Sequence, residues 1–128
     1  MFEFLKDRAK RFLEVAKGDL DKKYYDFCLF HVEQMLQLIL KYLIALKTDD
    51  FPRTHYLSVL FKDVDKLYKG KRMMKVYKDN ISIITALEQA YIGSRYLDVK
   101  FDREVALEAI KFAKSFIKLA KELEKNES

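Results

Sequence analysis

The stretch from Tyr24 to Leu46 constrains this chain more than any other. At about 100° per residue on a helical wheel, Cys28, Leu29, Val32, Met35, Leu36, Ile39, Leu40, Tyr42, Leu43 and Leu46 fill more than half of the circumference. A helix apolar over so wide an arc is a central one, packed by neighbours on several sides. The remaining arc carries Asp26, Glu33, Gln34, Gln37 and Lys41, with His31 at its margin. That polar stripe is the first place to look for function.

The 128 residues make a single domain, 1–128, by size, long enough to bury about two thirds of the surface that the unfolded chain exposes. Half of the residues are hydrophobic and 35% are charged, with three Gly and one Pro, which favours a few long helices over turn-rich β structure. The one cysteine, Cys28, excludes a disulfide framework and reads as a packed small hydrophobe in a reducing compartment. Charged residues interrupt Met1–Lys10, and no uninterrupted apolar run approaches the roughly 18 to 20 residues of a membrane span. The expectation is a cytoplasmic protein with no membrane partner. A net charge of +5 favours an anionic partner without identifying one.

In chain order, Phe2, Leu5, Ala9, Phe12 and Ala16 recur at helical spacing, and Gly18 is expected to end that first helix. Asp19 or Asp21 then offers a cap for the central helix, which stops before Pro52. Thr54 offers the next cap, for a short helix closed by Gly70. Arg72 to Tyr96 reads as one further long helix, with Tyr91 and Arg95 on the same side. Asp102 caps the last helix, whose end from Glu124 to Ser128 is expected to fray. The fold class is all-α, an antiparallel up-and-down bundle of four long helices plus one short helix.

Three segments are recognisable together. They are Phe30-His31 with Gln34 and Leu40-Lys41, then Arg53-Thr54-His55 with Leu57, then Tyr91 with Arg95-Tyr96. In order and spacing this set resembles the HEPN family (higher eukaryotes and prokaryotes nucleotide-binding domain). Gln37 stands where that family commonly has Glu, Glu33 where it has Gln, and Leu97-Asp98 where it has Pro-Asp. The resemblance implies a helical bundle that pairs as a homodimer, with a minimal nucleotidyltransferase as partner in a toxin–antitoxin module. Many members of the family are metal-independent ribonucleases that use an Arg followed, after four to six residues, by a His. Here the permitted positions hold Tyr24, Tyr25 and Asp26 before His31, and Thr48, Asp49 and Asp50 before His55. The ribonuclease motif is therefore absent, which favours a non-catalytic nucleotide-binding or partner-binding branch.

The ligand-binding candidates are His31, Gln34, Lys41, Arg53, His55, Tyr91 and Arg95. Lys41, Arg53 and Arg95 suit phosphates, Gln34 suits a base or ribose edge, and Tyr91 or Tyr96 suits stacking on a base. A bland reading stands beside this one. A His at the edge of an apolar arc also serves to bond a neighbouring helix, and Arg53, Thr54 and His55 also serve to fix a turn. No metal or cofactor is called for, because two His, one Cys and no carboxylates at metal-ligand spacing assemble no site. Two alternatives remain open. One is an RNA-cleaving toxin with a non-standard set of His31, His55 and Arg95. The other is a nucleic-acid-binding face running from Lys62 to Lys78, with Tyr68 and Tyr77 interleaved.

Overall fold

Residues 1–125 are described by a computed structural model, in which six helices and no strand are found among the described residues. They are α1 (Glu3–Asp21), α2 (Tyr25–Thr48), α3 (Leu57–Leu67), α4 (Met73–Asp79), α5 (Ile81–Tyr96) and α6 (Arg103–Lys125). The fold class is all-α, as the periodicity requires. Contacts at named depths fix the direction of the long helices. Asp19 near the end of α1 meets His31 near the start of α2, while Lys6 at the start of α1 lies over the ring of Tyr42 toward the end of α2. Phe30 at the start of α2 stacks on Tyr91 near the end of α5, and Glu124 at the end of α6 accepts a hydrogen bond from Tyr42. The order α1, α2, α5, α6 therefore runs up, down, up, down.

The central position of α2 follows from its wide apolar arc. It packs against α1, α3, α5 and α6, and Cys28, Leu29, Val32, Met35, Leu36, Leu40 and Leu43 are fully buried. Leu46 is the exception in that arc, at 41% exposed. By length and composition α2 is apolar enough to cross a membrane, but 67% of its most apolar window is buried inside the bundle. Cys28 lies in that core, where burial pushes its thiol up to about 12, so it acts as a hydrophobe rather than as a nucleophile.

Several boundaries depart from the sequence reading, each for a local reason. Helix α1 runs through Gly18 to Asp21, and the chain reverses at Lys23, which takes a left-handed φ of 65°. Neither Asp19 nor Asp21 caps α2, because the Asp19 carboxylate is taken by His31 at 2.6 Å and the N-cap residue, Tyr24, makes no side-chain cap bond. Thr54 accepts a bond from the Tyr56 N–H, yet α3 begins only at Leu57. The long helix expected over Arg72 to Tyr96 is two helices, α4 and α5. They meet at Asn80, whose φ of -117° departs from the helical value and whose side-chain amide joins its own backbone N–H on the Val76 carbonyl, at 2.8 and 3.2 Å. Asp102 caps α6 through the Val105 N–H, as expected. Glu124 does not fray, since Lys6 and Tyr42 both bond its carboxylate, and residues 126–128 lie outside the described ones.

The segment from Asp49 to Tyr56 positions the functional region. Asp49 adopts a left-handed φ of 62°, and the chain turns back on α2. Phe51 packs on Phe2 and Phe4 at one end of the bundle, whereas His55 packs on Tyr91 near the other. A connection of so few residues covers that distance only with extended backbone. It brings the Arg53 charge close enough to Lys41, on the polar stripe of α2, to act on it.

Candidate functional site

The middle of the polar stripe of α2 is an interior feature. Glu33 has no solvent exposure and Gln37 has 7%. The Gln37 side-chain amide donates to both Glu33 carboxylate oxygens, at 3.0 and 2.8 Å, and the Gln34 amide donates at 2.9 Å. A buried carboxyl held only by neutral donors is costly to ionise. Burial pushes Glu33 up to about 7, with the nearby Glu88 adding to the effect and the two amides and Lys41 opposing it. Glu88 is itself raised by burial, against the His55 charge and the Leu57 backbone N–H. Burial, and after it the Arg53 charge, hold the Lys41 ammonium below its usual value.

Outward from this network lies a surface of rings and one cation. The Phe30 and Tyr91 rings stack with centroids 6.1 Å apart and planes 8° from parallel. His55 packs on Tyr91 at 5.1 Å and on Tyr56 at 4.4 Å. The Arg95 guanidinium stands 4.9 Å from the Tyr91 centroid, 5.3 Å from Tyr96 and 5.5 Å from Phe30, and donates to the Tyr91 carbonyl at 3.1 Å. Tyr56, Arg95 and Tyr96 are exposed. A cation resting on aromatic faces keeps spare N–H donors for an anion, and the rings offer stacking area.

The seven candidate residues divide in three dimensions. Gln34, Lys41, His55, Tyr91 and Arg95 gather along the facing sides of α2, α5 and the returning segment. Arg53 is exposed and turns back on its own segment, with its guanidinium 4.4 Å over the Phe51 ring and a bond to the Phe51 carbonyl. His31 faces α1 instead: its Nδ1 lies 2.6 Å from Asp19 and its ring stacks on Phe12 at 5.9 Å. That is the bonding of a neighbouring helix which the bland reading described. Glu88 was not among the candidates, although it stands three residues before Tyr91 and seven before Arg95, on the same side of α5.

The basic face is also rearranged. Lys62, Lys66, Lys69, Lys71, Arg72, Lys75 and Lys78 are all exposed. Tyr68, however, is buried with its hydroxyl on the Leu43 carbonyl, and Tyr77 packs on Phe61, so the two interleaved tyrosines face inward and offer no stacking surface beside those cations. Among the described residues, no three of the His, Cys, Asp and Glu side chains converge in a way that could hold a metal ion.

No curated protein and no solved structure matches this chain. The model of the HEPN domain matches residues 2–123, which takes in α1 to α5 and nearly all of α6. With that match covering nearly the whole chain, and with a helical bundle to go with it, the protein belongs to the HEPN domain family, a nucleotide-binding or RNA-related module.

Proposed function

We propose that this protein is a non-catalytic nucleotide-binding module whose ligand rests on the surface formed by His55, Tyr91, Arg95 and Tyr96. The observation that carries this reading is the Arg95 guanidinium lying over three aromatic rings at 4.9 to 5.5 Å. A base stacks on the exposed Tyr96 ring while its phosphate takes the free guanidinium N–H groups, a pairing of stacking and charge that suits nucleotides. The carboxyl nearest neutrality, Glu33, is sealed under Gln34 and Gln37, so it supports the surface from behind without touching a ligand. The absent Arg-to-His spacing agrees with binding rather than cleavage. His31 joins His55 through the rings of Phe30 and Tyr91, an arrangement unlike a shared general acid–base pair.

The finer reading is a homodimer that works with a minimal nucleotidyltransferase in a module of the toxin–antitoxin type. Its support is the resemblance of the three sequence segments to family members of that kind.

Thermal melting with ATP, AMP, GTP and a short oligouridine tests the ligand surface. The wild type gains several degrees with at least one of them, and Arg95→Ala and Tyr96→Ala lose that gain by tenfold or more in affinity. Both side chains are exposed, so the unliganded melting temperatures stay unchanged. Absence of stabilisation by every one of these ligands removes the reading.

A further inference from the structure

A second surface, away from Arg95, lies on the outer side of α1. That helix packs on α2 and α6, and its free side carries Phe4, Arg8, Arg11 and Val15 at spacings of four, three and four. Phe4 is 40% and Val15 47% exposed, which is unusual for large apolar residues lined up on one stripe. Arg8, Arg11, Phe12 and Val15 line a shallow groove of about 300 Å³. Arg8 is laid over the Phe4 ring at 5.2 Å, which holds its charge beside the apolar floor. Among the described residues neither Arg8 nor Arg11 has a carboxylate within ion-pair distance. Of the neighbouring acids, Glu3 is engaged with the N-terminal ammonium and Glu14 with Lys17, while Asp7 makes no ion pair with either guanidinium.

We infer that this groove docks an amphipathic helix of another protein, with an apolar face for Phe12 and Val15 and acidic residues along its edge for Arg8 and Arg11. Charge complementarity selects that occupant. Two unpaired guanidiniums beside an apolar floor are satisfied by carboxylates flanking an apolar stripe. A two-fold pairing of this stripe around Arg11 would bring like charges together. The stripe from Phe4 to Val15 spans about 16 Å at 1.5 Å per residue, the length of about three turns of a partner helix. Phenylalanine and arginine are also the kinds of side chain that anchor interfaces. The groove is independent of the nucleotide surface, so either proposal stands if the other fails.

The probe is a fluorescein-labelled 18-residue helical peptide with Leu on one face and Glu along its edges, compared with a version carrying Lys in place of Glu. Fluorescence anisotropy gives saturable binding of the acidic peptide to the wild type and none of the Lys version. The Arg8→Glu/Arg11→Glu double variant weakens binding more than tenfold, as does Val15→Asp. Circular dichroism confirms that these exposed substitutions leave the helices intact. Nucleotide binding, measured separately, is unchanged in both variants. Failure of the acidic peptide to saturate, or equal binding by the double variant, overturns the inference. So does a wild-type dimer in sedimentation that Val15→Asp converts to monomer, because the groove is then covered by a second copy of this chain.

Discussion

A carboxyl without solvent exposure, such as Glu33, stays neutral until the pH approaches its raised value of about 7. The folded state then holds a proton that the unfolded chain releases near 4.5, so stability from this group is complete below about 4.5 and declines as pH rises through 7. The loss is on the order of 3 kcal/mol at most, and Glu88 adds to it with the same sign. Glu33→Gln removes the charge and keeps a carbonyl acceptor for Gln37. Its melting temperature at pH 8 therefore exceeds that of the wild type, and the two converge at pH 5. Equal pH dependence in the two proteins contradicts this account. Some of this site was readable in the sequence: Glu33, Gln34, Gln37 and Lys41 share a polar stripe because residues three and four apart share a helix face. That Glu33 and Gln37 are interior was not readable, because burial depends on the other helices that pack on α2.

Elements in this fold end where tertiary contacts end them, and two glycines show the difference. Gly18 lies inside α1, and a Cβ there meets nothing within 4 Å. Gly18→Ala accordingly stabilises the protein by about 0.5 to 1 kcal/mol, read as a higher midpoint in urea. Gly93 is the opposite case. A Cβ there would clash with Val99 Cγ2, so the missing side chain is what lets the chain after α5 fold back on its last turn. Gly93→Ala costs about 1 to 3 kcal/mol, and Val99→Ala in the same chain recovers most of it. An additive double mutant argues against that contact. The periodicity in Arg72 to Tyr96 is helical throughout, and its one Gly, Gly93, lies far from the break, so the break at Asn80 has no strong local signature. It lies in the backbone of Asn80, whose φ of -117° departs from the helical value.

The whole molecule is organised as its widest apolar arc requires. Because α2 touches four other helices, removing volume from its middle loosens all of them at once. Leu40→Ala, at a fully buried position, lowers stability by about 2 to 5 kcal/mol, and fluorescence and circular dichroism report the same single transition. Separate transitions by the two probes show that the helices unfold in parts. The sequence by itself determined that the chain is helical, that α2 is central and that Tyr91 and Arg95 share a side, because these are consequences of spacing along one helix. Tertiary structure alone decided that His31 pairs with Asp19, that Tyr68 and Tyr77 turn inward and that Glu33 is sealed from water. Those outcomes depend on which element lies across which, and pairs of residues remote in sequence leave no periodic trace.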